Sequence, residues 1–239
     1  MKSGLWWDIT WNSVWGCLND CGYCYARKMA YRLSFVKNLM ECFQTKLVGN
    51  PELDIMDLRK FKPTWIEWNF NRAFPKKPSK ILVNSMSDIK FWQPEWMCKV
   101  IGRIVDSPQH TFQILTKFPE IYAKYKFPAN CWLGVTVTSN DDIEKAYKLE
   151  NMDIPNLKFI SVEPILDNWV LMIPTINLIS DWIILGLETN NRNTFVPDLD
   201  KIEALVYDAK LSGIPIFMKN SMLKCWDKPL IQEFPNEQK

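Results

Sequence analysis

The amino-acid sequence predicts an α/β fold built on a parallel β-sheet. Short runs rich in Val, Ile, Leu and aromatic residues recur from residue 81 onward, and helical stretches separate most of them. The runs are continuously apolar, which indicates strands that are covered on both faces by other elements. Strand, helix, strand is therefore the repeated order, and six or seven such units follow one another. This pattern fits an open doubly wound sheet as well as a full or partial barrel.

The predicted elements can be placed in chain order. A first strand is expected near residues 7–11, and a helix is expected over 25–42, where apolar residues recur at three- and four-residue steps, namely Met29, Leu33, Val36 and Met40. Further strands are predicted at 81–84, 111–116, 132–137, 157–162, 182–187 and 214–218. Helices are predicted at 94–105, which has a proline near its first turn, and at 199–211, which Gly213 closes.

Composition and charge limit the class of protein. The 239 residues, 47% of them hydrophobic, predict one large domain spanning 1–239, with an irregular insertion at about 49–80. Lys and Arg number 29 against 27 Asp and Glu, so no strong overall charge calls for a nucleic-acid or membrane partner. No apolar run reaches the roughly 20 residues that cross a bilayer, and the N-terminus does not resemble a secretory signal. We therefore expect a cytoplasmic protein.

Three of the seven cysteines lie within eight residues, as Cys17, Cys21 and Cys24, with the spacing C-x3-C-x2-C. Clustered cysteines in a reducing compartment are typical of metal ligands or catalytic groups. The other cysteines are scattered, and we interpret them as small buried hydrophobic residues, namely Cys42, Cys98, Cys131 and Cys225. A structural zinc site and an electron-transfer cluster both use four protein ligands, whereas three cysteines leave one iron of a 4Fe-4S cluster open. An open iron implies chemistry at that iron.

Charged residues follow several of the predicted strands. In a parallel sheet the carboxyl ends of the strands meet at one edge, where ligands bind. We expect functional side chains there, namely Lys117, Glu163, Glu188 and Lys219. Single Ser, Thr and Asn residues at the same ends fit ordinary turn and helix-cap roles. The only histidine, His110, precedes a strand, where packing is the simpler role and proton donation the alternative.

The cysteine spacing, with an aromatic residue before the last cysteine, resembles the signature of radical S-adenosylmethionine (SAM) enzymes. The sequence is also similar to the phage-associated three-Cys-motif family related to spore photoproduct lyase. That similarity runs through nearly the whole chain and includes Trp11-Asn12, Gly16-Cys17, Cys24-Tyr25-Ala26, the segments 84–88, 110–117 and 132–135, Val162-Glu163-Pro164 and Gly186-Leu187-Glu188. The resemblance implies a partial (β/α)6-type TIM barrel.

The resemblance also implies roles for individual residues. Cys17, Cys21 and Cys24 would ligate a 4Fe-4S cluster, and SAM would chelate the remaining iron. The backbone at Tyr23 would lie against the adenine. The other implied SAM contacts are polar residues at strand ends: Ser85, Ser87 and Asp88 for the amino group, Lys117 for the carboxylate, Thr136, Thr138 and Glu163 for the ribose, and Glu188, with Lys219, near adenine or substrate.

The expected activity is reductive cleavage of SAM followed by abstraction of a substrate hydrogen. Such a reaction requires a one-electron donor such as flavodoxin or ferredoxin. The resemblance suggests a phage or mobile-element context, in which the substrate is a nucleobase or a modified nucleotide, or nucleic acid itself. The protein would orient the radical and exclude water, while the cofactor carries the bond chemistry.

Two alternatives stay open at this point. The first is a zinc- or cluster-stabilised nucleic-acid-binding module without catalysis, whose basic and aromatic stretch 60–80 would contact phosphates and stack on bases. The second is a phosphate-binding metabolic enzyme on the same barrel. The sequence disfavours the second, because its eight glycines form no glycine-rich phosphate loop.

Overall fold

A computed structural model describes residues 4–33, 60–168, 171, 180–189 and 195–235. The first part holds strands β1 (Ile9–Trp11) and β2 (Val14–Trp15), helix α1 (Tyr25–Leu33), strand β3 (Thr64–Trp65), helix α2 (Glu67–Phe70), strand β4 (Lys80–Val83) and helix α3 (Pro94–Val105). The second part holds β5 (Thr111–Thr116), β6 (Cys131–Thr136), α4 (Ile143–Glu150), β7 (Lys158–Val162), β8 (Trp182–Leu185), α5 (Leu199–Leu211) and β9 (Ile216–Met218). Short 3-10 turns follow several strands.

The chain has an α/β fold with a seven-stranded sheet in the order β1-β4-β5-β6-β7-β8-β9. The registers of β1 with β4, and of β6 through β9 with one another, are parallel. The predicted α/β partial barrel with parallel strands is therefore confirmed. The helices at 94–105 and 199–211 were predicted to the residue, because their proline and glycine boundaries are local signals.

The chain divides into two compact units, of which one comprises residues 9–112 and the other residues 1–8 and 113–239. The single domain expected from the length of the chain stays a prediction. Within the described residues, no helix is both long and apolar enough to span a membrane.

In the unit of residues 9–112, Trp11 on β1 packs against Phe70, Phe74 and Phe112. The Arg103 guanidinium lies 4.5 Å from the centroid of the Phe74 ring. Arg103 also donates hydrogen bonds to the backbone carbonyls of Phe70 and Arg72. The aromatic residues of the stretch 60–80 thus serve largely as packing anchors.

The stretch 49–80 was predicted to be irregular, and its described part, 60–80, contains β3 and α2. Strand β3 pairs antiparallel with β2, with Val14 opposite Trp65. This pairing joins residues about fifty positions apart, so local periodicity gave no sign of it. Residues 49–59 lie outside the described part of the chain.

The buried face of α1 differs from the predicted one. Ala26 and Ala30 are buried against Phe61 and Met86, whereas Met29 is exposed. The small alanine side chains allow close packing here. Hydrophobicity alone had favoured the larger Met29 for the buried side of the helix. The rest of the predicted helix, with Val36 and Met40, lies outside the described residues.

Candidate metal centre

The cysteine loop begins directly after β2 and is fixed by backbone hydrogen bonds. The Gly16 N–H donates to the Met86 carbonyl at 3.0 Å, and the Cys17 N–H donates to the Phe61 carbonyl at 2.8 Å. Gly16 has a φ of +98°, and a Cβ at this position would lie 2.0 Å from the Lys62 carbonyl oxygen. Only glycine fits this conformation and this space. The first cysteine therefore follows directly after a residue that is closely packed against neighbouring backbone.

Each of the three cysteine sulfurs accepts an N–H hydrogen bond. The Asn19 backbone N–H lies 3.4 Å from Cys17 Sγ, and the Asn19 side-chain amide lies 3.3 Å from Cys21 Sγ. The Arg27 N–H donates to Cys24 Sγ at 3.3 Å, so this sulfur caps the first turn of α1. N–H donors and a helix N-terminus stabilise negative charge on sulfur. Hydrogen bonds of this kind also tune the potential of iron–sulfur clusters.

The loop lies against an apolar wall. Cys17 and Cys24 pack with Trp15 on the buried cluster of Ala26, Ala30, Phe61 and Met86. The pKa of Cys17 is raised to about 11, mainly by burial and also by the negative charge of Asp88, while N–H bonds from Asn19 and Asp88 act in the opposite direction. A metal that binds Cys17 must therefore displace a tightly held proton.

The segment 85–88 that follows β4 contacts the cysteine loop. The Asn12 side chain exchanges hydrogen bonds with the Ser85 hydroxyl at 3.0 and 3.1 Å, and its oxygen accepts from the Met86 N–H at 3.3 Å. The Tyr25 hydroxyl donates to the Ser85 carbonyl at 2.8 Å. The backbone N–H of Asp88 hydrogen-bonds to Cys17. This polar segment therefore stands beside the first cysteine.

Two further residues predicted to bind SAM have local partners in this segment. Asp88 caps the 3-10 turn Ile89–Phe91 by accepting from the Lys90 N–H at 3.0 Å. The Ser87 hydroxyl accepts from the Trp92 indole at 2.9 Å. Tyr23 lies inside the cysteine loop, in the turn that the Cys24 N–H closes on the Cys21 carbonyl at 3.0 Å. The loop and the segment 85–88 are thus brought together.

The three cysteines suit one of the two candidate metal centres, zinc and a 4Fe-4S cluster, better than the other. Cys17, Cys21 and Cys24 are in the reduced thiol form. Among the described residues, no three His, Cys, Asp or Glu side chains converge closely enough to hold one ion. A tetrahedral zinc ion needs such convergence, whereas a 4Fe-4S cluster places each thiolate on a different iron and spaces them more widely. Three thiols that have N–H donors and lie beside an apolar wall are therefore chemically suitable ligands for a 4Fe-4S cluster.

His110 is a packing residue of the unit 9–112. Its ring is buried and makes edge contacts with Phe74 and Phe112. Its Nε2 lies 3.2 Å from the Gln109 amide nitrogen. Burial lowers the pKa of His110, which fits a neutral imidazole among aromatic rings.

The scattered cysteines differ from one another. Cys131 is buried, as expected, and burial raises its pKa to about 12. Cys225 is half-buried, but Cys98 is exposed on α3, so the expectation of burial is wrong there. Cys42 lies outside the described residues.

In the other unit, strand register places several predicted residues on one face of the sheet. Thr136 on β6 stands opposite Ser161 on β7, and Glu163 lies two residues beyond Ser161 on the same face. By the same alternation, Gly186 after β8 and Lys219 after β9 lie on this face of the sheet as well. Glu163 and Lys219 form an ion pair. Their strand-end positions agree with the prediction.

Close contacts surround this ion pair. A Cβ at Gly186 would lie 3.1 Å from Lys219 Cδ and 3.2 Å from Glu163 Cγ. Lys219 Nζ also lies 5.8 Å from the centroid of the Trp7 ring. The absence of a side chain at Gly186 therefore lets the two charged side chains meet across β8.

The remaining predicted residues lie at strand ends of the same unit. The Thr138 hydroxyl donates to Asp142 at 2.6 Å, and the Asp142 carboxylate also accepts the Thr138 N–H. This is the turn role that short polar residues commonly have. Lys117 follows β5 and Glu188 follows β8. The ligand contacts implied for these residues stay predictions.

Several residues that shape the centre were not singled out from the sequence. Asn19 and Arg27 donate to the sulfurs, and Phe61 accepts the Cys17 N–H. Asn19 and Arg27 could have been suspected, because they lie two or three residues from a cysteine. Phe61 lies 44 positions from Cys17 and gave no local signal.

The comparison with curated proteins finds no match to this chain, and neither does the comparison with solved structures. A protein-family model described as "Protein of unknown function (DUF5131)" matches residues 3–222, which is nearly the full chain. The chain therefore belongs to the DUF5131 family.

Proposed function

We propose that this protein is a radical SAM enzyme whose 4Fe-4S cluster is held by Cys17, Cys21 and Cys24. When bound, the cluster would supply one electron to the sulfonium of SAM and so generate a 5′-deoxyadenosyl radical that abstracts a substrate hydrogen. The resemblance of the sequence to radical SAM enzymes, and to the three-Cys-motif family, supports the proposal. A nucleobase or modified nucleotide is the proposed substrate class.

One observation carries the proposal: three cysteine sulfurs in one short loop, each with an N–H donor. Three thiolates leave one iron of a 4Fe-4S cluster for an exogenous ligand. The donors partly offset the negative charge that the thiolates bring, and favour reduction of the bound group. A metal site that only stabilises the fold would gain nothing from an iron that lacks a protein ligand.

The chain's own residues would orient the bound group and restrict water. The hydrogen bonds of Gly16 and Cys17 fix the start of the loop, and Asn12 holds Ser85 and Met86 beside it. The apolar wall of Phe61 and Met86 covers one side of Cys17, which is partly buried against it. A reactive radical requires such exclusion of solvent.

The SAM contacts predicted from the sequence remain part of the proposal. They are Tyr23, Ser85, Ser87, Asp88, Lys117, Thr136, Thr138, Glu163 and Glu188. The cytoplasmic location also remains part of it, since a cluster with an open iron requires a reducing environment.

Anaerobic reconstitution with iron and sulfide tests the proposal. We expect roughly four irons per chain, and 5′-deoxyadenosine once dithionite and SAM are added. Single substitutions Cys17→Ala, Cys21→Ala and Cys24→Ala should each abolish both signals. Cys98→Ala is the matched control, because this thiol is exposed on α3, and it should keep both.

Either of two results for the wild-type protein would contradict the proposal. One is a stoichiometric zinc ion that survives in the wild-type protein and resists replacement by iron. The other is a reconstituted four-iron protein that neither binds nor cleaves SAM. Wild-type iron content in all three cysteine variants would show that the metal lies elsewhere.

A further inference from the structure

Arg27, near the start of helix α1, contacts the cysteine loop at three points. Its backbone N–H donates to Cys24 Sγ at 3.3 Å, and its guanidinium Nη2 lies 3.4 Å from the Cys17 carbonyl oxygen. The same nitrogen lies 3.3 Å from the Asp20 carboxylate. The side chain of Arg27 therefore reaches back across the loop from the third cysteine to the first.

The surroundings of the guanidinium leave it as the dominant charge of this contact. It lies 5.3 Å from the centroid of the Phe61 ring, which belongs to the apolar wall beside Cys17. The Arg27 side chain is 35% exposed, whereas the Asp20 side chain is 87% exposed. Water and salt screen an exposed carboxylate more strongly than a partly buried cation. A positive charge that is only partly neutralised therefore lies inside the loop.

One hydrogen-bond donor of Arg27 has no acceptor. Among the described residues, the buried Nε of Arg27 makes no hydrogen bond. Buried guanidinium N–H groups usually have a partner, and arginine stays protonated. The three thiols of the loop become anionic when they ligate a metal. The loop thus combines a fixed cation and an unused N–H donor with the three proposed cluster ligands.

A cation in this position affects the transfer of an electron to a bound cluster. Reduction adds one negative charge to the group that the cysteines hold, and a nearby fixed cation stabilises that charge. The potential of an iron–sulfur cluster depends on net charge, on hydrogen bonds and on solvent exposure. The helix cap at Cys24 needs only the backbone N–H of residue 27. Substitution of the Arg27 side chain therefore leaves that contact in place and isolates the guanidinium.

We propose that Arg27 is a positioning residue that raises the reduction potential of the cluster bound by Cys17, Cys21 and Cys24. This inference rests on the proposed function. The guanidinium would tie the two ends of the loop together and stabilise the added electron, so that reduction becomes easier. The cluster gains one electron from a reductant, and no bond of the protein forms or breaks.

Four variants of the full chain test the inference. Arg27→Gln removes the charge and keeps the backbone N–H, while Arg27→Lys keeps the charge without the planar fork of nitrogens. Arg32→Gln is the matched control, because it removes the same charge from an exposed position of α1 about 7.5 Å further along the helix axis. Asp20→Asn removes the carboxylate that partly neutralises Arg27.

The midpoint potential of each reconstituted protein is measured without SAM, by anaerobic titration with dithionite followed by electron paramagnetic resonance. For Arg27→Gln we expect the ratio of reduced to oxidised cluster at a fixed potential to fall by about tenfold, which for one electron is about 59 mV. A unit charge at about 10 Å in an effective dielectric of about 20 gives a change of this size.

The other three variants should behave differently from Arg27→Gln. Arg27→Lys should recover most of the loss, because the charge is kept. Arg32→Gln should match the wild type. Asp20→Asn should raise the ratio by about twofold, a small effect because exposed charges are screened. All four metal-free chains should unfold near the wild-type urea midpoint, since an exposed ion pair contributes little stability.

Several results would overturn the inference. They are a wild-type potential in Arg27→Gln, an equal shift in Arg32→Gln, a shift in Arg27→Lys as large as in Arg27→Gln, and a shift confined to variants with a lowered urea midpoint. If Arg27→Gln binds no cluster, Asp20→Asn decides, and an unchanged or lower potential in that variant would overturn the inference.

Failure of the proposed function gives a different result. A wild-type protein that takes up no cluster, or that yields no 5′-deoxyadenosine with dithionite and SAM, would contradict the proposed function. A cluster that forms normally and has the same potential with and without the Arg27 charge would contradict only the role of Arg27. The two failures are therefore distinguishable.

Discussion

Replacement of Gly16 by alanine is the most informative single perturbation of the cysteine loop. Gly16 has a φ of +98°, and its added Cβ would lie 2.0 Å from the Lys62 oxygen, 2.3 Å from the Lys62 carbonyl carbon and 2.8 Å from the Phe61 oxygen. These atoms belong to the backbone, so no side-chain rotation can relieve the overlap. Either the loop or residues 61–62 must move.

The cost can be worked from these contacts. A left-handed conformation costs a non-glycine residue about 1–2 kcal/mol, and overpacking adds about 1–3 kcal/mol. We therefore expect Gly16→Ala to lower the free energy of unfolding by about 2–5 kcal/mol, against a typical total of about 5–15 kcal/mol. Movement of Cys17 away from Phe61 should also lower the iron content after reconstitution.

Gly22→Ala is the matched control within the same loop. Gly22 lies between Cys21 and Cys24, and a Cβ there would have no atom within 4 Å. Urea unfolding of the metal-free chains and iron analysis of the reconstituted ones give the two measurements. A Gly16→Ala protein that unfolds like the wild type and binds as much iron would refute the reasoning, as would equal damage by Gly22→Ala.

Three further substitutions test separate contacts. Arg103→Lys should cost about 1.5–3 kcal/mol in urea unfolding, because lysine lacks the planar fork of two nitrogens with which the arginine reaches the Phe70 and Arg72 carbonyls; an unchanged midpoint would contradict this. Gly134→Ala should cost about 1–3 kcal/mol, since its Cβ would lie 2.3 Å from the Phe159 ring, and adding Phe159→Leu should restore part of it; no rescue would reject that clash. The pKa of Cys131 rises from 9.0 to about 12 on burial, so the unfolded chain ionises first and stability should fall as pH rises above about 9. Cys131→Ala should remove that part of the pH dependence, which unfolding at pH 8 and pH 10 would show.

The α/β class, most of the sheet strands and two helices could be predicted, since continuous apolar runs and helix-end residues are local signals. The strand at 111–116 and the helix at 199–211 agree with the structure to the residue. Other strands differ by one to a few residues, as with Lys80–Val83 against 81–84. Strand ends depend on pairing with neighbours, which local sequence does not specify.

The candidate site was predictable to a smaller extent. The three cysteines stand out by spacing alone, and the strand-end positions of Glu163 and Lys219 follow from the parallel sheet. Their ion pair could not be predicted, because it depends on the space above Gly186. The buried side of α1 was misjudged, since burial of Ala26 depends on residues far along the chain.

The sequence by itself determined the donor chemistry: three thiols in eight residues, and the alternation of strands and helices that places polar residues at strand ends. Only the tertiary structure decided which groups surround those thiols. Phe61, Met86 and the Asp88 backbone come to Cys17 from 44 to 71 positions away. Ligand spacing is a property of adjacent residues, whereas desolvation and hydrogen bonding of a sulfur depend on whatever the folded chain brings beside it.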